Sequence, residues 1–258
     1  MNAYKNIAVR AAERAGSFVA KAFINRDRII AKSKGPNDYV SNIDSQAEEI
    51  IIDTIKHSYP DHAIIAEESG QHGDSDTVWV IDPIDGTTNF LVGIPHFAIS
   101  IAVKHKGKTL AAVIYDPIKD EMFTASNGAG AQLNNTRIRV SEKKKLDNSL
   151  LATGFPFRGN QDLEEYLRYF ETLFPLCIDM RRAGAASLDL AYVAAGRLDG
   201  FWEFGLNDWD TAAGILIVKE AGGFVGDIKG NPYQDRSKSI LAAAPGVFKH
   251  VMQSVKNL

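Results

Sequence analysis

The sequence of 258 residues predicts an α+β fold of stacked layers rather than a doubly wound parallel sheet. Three observations carry that expectation. Helical and extended patterns come in blocks: two amphipathic helices, a run of short strands, then strands alternating with helices. Between residues 97 and 140 the turn pairs Lys106-Gly107, Asp116-Pro117, Asn127-Gly128 and Asn134-Asn135 punctuate short apolar stretches, the pattern of an antiparallel meander. No Gly-x-Gly-x-x-Gly follows a strand, as a dinucleotide-binding unit would require. One domain spanning 1–258 accounts for the whole chain, with 1–145 a helix pair plus meander and 146–258 an αβ half.

Over residues 3–25, Ile7, Ala11, Ala15, Phe18 and Ala22 recur at helical spacing and predict an amphipathic helix. Pro36 and Asn37 interrupt. Ser41-Asn42-Ile43-Asp44 matches a capping box at the head of a second helix over 42–57, with Ile43, Ala47, Ile50, Ile51 and Ile55 on its apolar face. Residues 63–66 read as a strand running into Glu67-Glu68-Ser69-Gly70, and 78–81 as another. Strands follow at 97–103, 109–115, 121–125, 131–133 and 137–140. In the second half, strands are expected at 149–153, 178–181, 198–202 and 239–243. Helices are expected at 161–173, 184–195, 209–221 and up to about 255, with Gly222-Gly223 marking one C-terminus.

A hydrophobic share of 45% and a net charge of −3 fit a globular protein and give no bulk sign of a nucleic-acid binder. Lys143-Lys144-Lys145 and Arg181-Arg182 are local basic runs, read first as solvated faces or contacts between subunits. Cys177 is the single cysteine, which excludes an internal disulfide and fits a reducing compartment. It lies in 174–179, read as a short strand, and is expected to be a small core residue. Lys5, Arg10, Glu13, Arg14 and Lys21 break up the N-terminal stretch, so no signal peptide is expected. The expectation is a soluble cytoplasmic protein without a membrane span.

The chemistry is concentrated at Trp79-Val80-Ile81-Asp82-Pro83-Ile84-Asp85-Gly86-Thr87-Thr88-Asn89-Phe90. An apolar run ends on two aspartates three residues apart. Crowded carboxylates repel and are costly to desolvate unpaired, and a divalent cation resolves both problems. The following Gly-Thr-Thr-Asn offers backbone N–H groups and hydroxyls, the donors a phosphate needs. Glu67 and Asp210 also abut apolar stretches, and an all-oxygen set favours Mg²⁺ over zinc. At this stage Asp44 reads equally as a mere capping partner of Ser41. Asp210 reads equally as an acidic first-turn residue. One of Glu67 and Glu68 is a bystander, and His96 is structural.

Glu67-Glu68-Ser69, the 79–90 segment and Trp209-Asp210-Thr211-Ala212-Ala213-Gly214 resemble the signature motifs of the inositol monophosphatase family. Residues 152–157 and 188–197 are similar to its bacterial SuhB-type branch. The resemblance covers essentially the full chain and implies a layered αβαβα sandwich. It also implies Mg²⁺-dependent, lithium-sensitive hydrolysis of a small phosphate monoester, myo-inositol 1-phosphate first, and a homodimer. By that resemblance one metal falls to Glu67, Asp82 and the Ile84 carbonyl, a second to Asp82, Asp85 and Asp210, and a third to the neighbourhood of Glu67. A metal-activated water, positioned by Glu67 and Thr87 with Asp44 completing a proton relay, would attack without a phosphoenzyme.

Phosphate contacts are expected from Gly86 and Thr87, and contacts to the alcohol from Gly184, Ala185, Ala186 and Glu203. Ala185 replaces a hydroxyl residue of some relatives, which removes one contact. Fructose 1,6-bisphosphate, histidinol phosphate, NADP⁺ and 3′-phosphoadenosine compounds are alternative substrates within the family. The SuhB-type resemblance also implies a regulatory partner in the transcription machinery.

Overall fold

The computed structural model describes residues 2–35, 38–156, 162–234 and 237–258. The expected break at Pro36-Asn37, the motif residue Phe157 and the expected helix start at Gln161 lie outside the described residues. The chain begins with helix α1 (Asn2–Ile24), a hairpin of β1 (Ala31–Gly35) and β2 (Asp38–Ser41), and α2 (Asn42–Ser58). Then come β3 (Ala63–Ala66), β4 (Gly70–His72), β5 (Thr77–Asp85), the short α3 (Thr87–Val92), and the meander β6 (Ala98–His105), β7 (Lys108–Asp116), β8 (Glu121–Ser126), β9 (Gly130–Leu133) and β10 (Thr136–Arg137). The second half runs β11 (Leu150–Thr153), α4 (Leu163–Leu173), β12 (Asp179–Arg181), α5 (Ala186–Ala194), β13 (Gly200–Phe204), α6 (Asp208–Glu220), β14 (Phe224–Gly226), β15 (Ser239–Ala243) and α7 (Pro245–Ser254).

These elements stack in five layers. α1 and α2 cover one face of an eight-stranded sheet ordered β10-β9-β8-β7-β6-β5-β3-β4, in which only β3 and β5 pair in parallel. α5 and α6 cover its other face and separate it from a five-stranded sheet ordered β12-β11-β13-β15-β14. α4 and α7 close the far side. The period-two alternation of strands decides which core each residue joins. On β6, Ile99, Ile101 and Val103 face α1 and α2, whereas Ala98 and Ala102 face α5 and α6. On β15, Ile240 and Ala242 join the central core, and Leu241 and Ala243 pack toward α7.

The central layer is tight because its helices are built of small residues. A Cβ placed on Gly214 of α6 would lie 2.5 Å from the Cβ and Cδ1 of Leu190 on α5. That close approach fixes the distance between the two helix heads, and both heads open onto the same cleft.

Some local expectations needed correction. Residues 174–176 form a 3₁₀ turn, not a strand, since Pro175 holds a helical φ and leaves no donor for a ladder. Cys177 follows that turn, partly buried at the core edge, with its thiol on the Phe174 carbonyl at 3.4 Å. The last meander strand stops at Arg137: the Ile138 N–H still reaches Ala131 of β9, but the Val140 N–H turns away to the Ala221 carbonyl. Leu198 and Asp199 lie in the turn before β13, with the Leu198 N–H on the Tyr192 carbonyl. The β1–β2 hairpin, β4, α3 and β14 are short and had no period to read. No described helix is long and apolar enough to cross a membrane.

Candidate active site

Glu67 follows β3, and its N–H donates to the Ile81 carbonyl at 3.1 Å, continuing the parallel pairing one residue beyond Ala66↔Ile81. Pairing therefore sets Glu67 beside Asp82. Two residues three apart on a regular strand would point to opposite faces. Here Asp82 pairs with Ser100 and Asp85 with Ala98, so β5 carries one extra residue against β6. That bulge, at a proline that cannot donate to the ladder, turns both carboxylates toward the face covered by α5 and α6.

The two helix heads then meet them. Asp85 Oδ2 accepts from the Ser187 N–H at 2.6 Å and the Ser187 hydroxyl at 2.5 Å, so it caps α5 from outside the helix. Asp210 is the third residue of α6, and its Oδ2 accepts from the Asn207 N–H at 2.6 Å. α6 is pinned to the sheet by Lys104, whose ammonium bridges both Asp208 oxygens at 2.6 and 2.8 Å, and by the Ser100 hydroxyl on the Trp209 carbonyl at 3.2 Å.

The electrostatics record the crowding. Burial pushes Asp82 well above the ordinary carboxylate range, and repulsion from Glu67, Asp85 and Asp210 pushes it further. Burial also raises Asp85, to about 6, against the lowering effect of its Ser187 and Ala186 hydrogen bonds. Among the described residues the carboxylates are not already drawn around one metal-sized point. Their nearness shows as mutual repulsion, which a cation would relieve.

Asp44 divides its oxygens between the two roles that the sequence left open. Oδ2 accepts from the Ser41 N–H at 2.9 Å and hydroxyl at 2.5 Å, as a helix cap. Oδ1 faces the Thr87 hydroxyl at 3.1 Å, which also lies 3.0 Å from the Ile84 carbonyl. Burial raises its proton affinity, partly offset by the Ser41 and Thr87 hydrogen bonds.

Gly86 turns the chain from β5 into α3 with a φ of 93°, left-handed backbone that glycine adopts freely. The first N–H groups of α3 face the cleft without partners inside the helix. Asn89 ties this corner to the α5 approach, its amide donating to His96 O at 2.8 Å and Ala183 O at 2.9 Å. Gly184, Ala185 and Ala186 are thereby held against Gly86, and Glu203 reaches in from β13. A Cβ on Gly154 would fall 2.0 Å from the Glu203 carboxyl carbon, so this glycine makes room for that side chain.

One cleft is thus lined by Glu67, Asp82, Ile84, Asp85, Gly86, Thr87, Gly184, Ala185, Ala186, Glu203 and Asp210, all anticipated. Asp44 stands behind it through Thr87. Glu68 is not in the lining. Its N–H and that of Ser69 donate to buried Glu48 at 2.8 and 2.9 Å, a carboxylate of α2 that shapes the Glu67 loop and that helical periodicity could not single out.

Tyr39, Thr88, Asn89, Thr153, Gly154, Arg182, Asp189 and Leu206 complete the lining. Arg182, expected on a solvated or intersubunit face, stands in the cleft wall with its guanidinium 5.3 Å from the Phe155 ring centre. Arg181 does face outward and pairs with Asp179. Lys143, Lys144 and Lys145 are exposed. The His96 carbonyl receives the Asn89 amide at 2.8 Å, and burial lowers its ring's proton affinity.

The comparisons with known proteins agree with this architecture. Residues 1–257 match the model of the inositol monophosphatase family. Nus factor SuhB of Escherichia coli is 52% identical, over 100% of this chain and 97% of its own length. The crystal structure of the extragenic suppressor protein SuhB of Bartonella henselae superposes with a TM-score of 0.95 at 44% identity, covering 99% of each chain. Inositol monophosphatase from Anabaena superposes at 0.89 and 34% identity, covering 100% of this chain and 96% of that one.

Proposed function

Because the chain belongs to the inositol monophosphatase family, we propose that it is a Mg²⁺-dependent phosphatase of small phosphate monoesters, with myo-inositol 1-phosphate the leading substrate. The supporting observation is the placing of Glu67, Asp82, Asp85 and Asp210 in one cleft beside the turn at Gly86 and Thr87. The donors fit the ion: they are all oxygen, and the buried Asp82 is destabilised by its neighbours in a way a hard cation relieves. Glu67, Asp82 and the Ile84 carbonyl would hold one Mg²⁺, Asp82, Asp85 and Asp210 a second, with a third near Glu67. When bound, these ions supply positive charge and acidify water.

The remaining work belongs to the chain. Backbone N–H groups of Gly86 and Thr87 receive the phosphate oxygens. Glu67 and the Thr87 hydroxyl orient the attacking water. Thr87 takes its proton and passes its own hydroxyl proton to Asp44 Oδ1, whose burial suits it to accept. Asp210 orients the water that returns a proton to the leaving alkoxide. Ala185, Ala186, Gly184 and Glu203 meet the alcohol. No side chain becomes phosphorylated.

Phosphate release is to be measured on polyol, sugar and nucleotide monoesters with Mg²⁺, and again with Li⁺. Turnover suppressed by Li⁺ and abolished in Asp82→Asn, with its melting temperature kept, supports the reading. Retained turnover in Asp82→Asn, or none in the parent on any ester, refutes it.

A second role rests on the relatives called Nus factor SuhB, with one 52% identical over the whole chain. We place a partner of the transcription machinery, a homodimer and a cytoplasmic location within this proposal. Capture of transcription proteins by Asp82→Asn as well as by the parent would separate that role from catalysis, and capture by neither would remove it.

A further inference from the structure

We propose that Asp189 is a specificity-determining residue, whose carboxylate receives a hydroxyl group from the alcohol half of the phosphate ester. This deepens the phosphatase reading and rests on it. Asp189 lies on α5 within the cleft lining and is 2% exposed. Its backbone N–H is used in the helix, on the Ala185 carbonyl at 3.0 Å. Its carboxylate receives no hydrogen bond from any described residue.

Other buried aspartates of the fold are satisfied. Asp116 accepts from the Ile118 and Lys119 N–H groups at 3.0 Å each. Asp199 accepts from the Ser141 hydroxyl at 2.5 Å and the Leu150 N–H at 2.7 Å. Asp44, Asp82 and Asp210 are likewise held. A buried carboxylate left without donors is costly, and such an exception calls for a partner that arrives from outside.

The cleft decides which partner. Burial raises the proton affinity of Asp189 well above the ordinary carboxylate range, Glu203 and Asp85 raise it further, and Arg182 lowers it. A phosphate oxygen cannot sit against a carboxylate, so the phosphate stays with the N–H groups of Gly86 and Thr87. The group reaching Asp189 is then on the alcohol side, beside Glu203. It must donate a hydrogen bond, which a hydroxyl-bearing alcohol does and an unsubstituted aryl alcohol does not. Two neighbouring acceptors, Asp189 and Glu203, suit a polyol with adjacent hydroxyls. A site built to receive a hydroxyl discriminates strongly against an analogue that lacks it, because its own buried group stays unpaired.

The test compares kcat/KM for myo-inositol 1-phosphate and p-nitrophenyl phosphate, with Mg²⁺, in the parent, Asp189→Ala and Asp189→Asn, alongside thermal melts. The expected result is a fall of about tenfold or more in the polyol-to-aryl ratio for Asp189→Ala, partial recovery for Asp189→Asn, and no loss of melting temperature. An unchanged ratio overturns the proposal, as does a drop in melting temperature with equal losses on both esters. If the parent hydrolyses neither ester, the phosphatase reading has failed separately. Calorimetry with myo-inositol alone then decides: binding to the parent and not to Asp189→Ala supports the role, and equal or absent binding overturns it.

Discussion

Gly214→Ala sets two effects against each other. Alanine is the better helix former by about 1 kcal/mol, so α6 considered alone would gain stability. The added Cβ, however, would lie 2.5 Å from both the Cβ and Cδ1 of Leu190 and 3.0 Å from its Cγ. Carbon atoms rest at about 3.5–4.0 Å, so roughly 1 Å is missing. Rotating Leu190 cannot relieve a contact with its own Cβ, and that side chain is fully buried. Relief needs α5 and α6 to separate. Overpacking of this kind costs about 1–3 kcal/mol, which offsets the gain and leaves a net loss of up to about 2 kcal/mol.

At about 2–4 °C per kcal/mol for a chain near this size, the melting temperature should fall by up to roughly 8 °C. Activity should suffer more than stability. α5 holds Asp85 through Ser187, and α6 carries Asp210, so the same separation pulls the two carboxylates apart. A displacement of about 1 Å at a reacting centre costs on the order of 10²-fold. Urea melts followed by circular dichroism, with Mg²⁺-dependent phosphate release on the same preparation, read both quantities. A variant as stable as the parent with unchanged turnover would show that the spacing of α5 and α6 does not set the site.

Asp44→Asn keeps the side-chain shape but removes the proton acceptor behind Thr87, so kcat should fall about 10²-fold with KM within about twofold. A matching rise in KM would mean that Asp44 acts on substrate placement instead. The pH dependence of metal stabilisation follows from Asp85, raised from 3.8 to about 6. The folded chain binds this proton more tightly than the unfolded chain. The resulting stability is full below about pH 4 and is lost as pH rises through 6. Mg²⁺ needs the ionised form, so its effect on melting temperature should be larger at pH 7 than at pH 5, and equal effects would contradict the assignment.

The residues differ in how far sequence alone revealed them. Two carboxylates ending an apolar run were conspicuous at Asp82 and Asp85, because nothing in a strand's packing asks for them. That they share a face was not legible, since it depends on one extra residue in β5 relative to β6. Asp189 was hidden for the opposite reason: among Leu188, Leu190 and Ala191 it passes for the polar side of a helix. Arg182 sat in a basic pair that reads as solvated until β12 and the turn before α5 carry it into the wall. The long helices and the meander were legible because each repeats its period several times. α3, with six residues, and β4, with three, do not.

The helix caps bear on how this chain could diverge. Asp44 and Asp210 each commit one oxygen to the start of a helix, so drift at either position would fray α2 or α6 whatever chemistry the cleft performs. A descendant retained only as a scaffold would still be selected to keep both. Asp189 has no such second employment, since it receives no hydrogen bond from any described residue, whereas Asp82, though pressed by three like charges, still accepts the Ile84 N–H at 3.0 Å in the turn of β5. The survival of Asp189 in a lineage, rather than that of the hydrogen-bonded aspartates, is therefore the mark of a cleft still under selection for turnover.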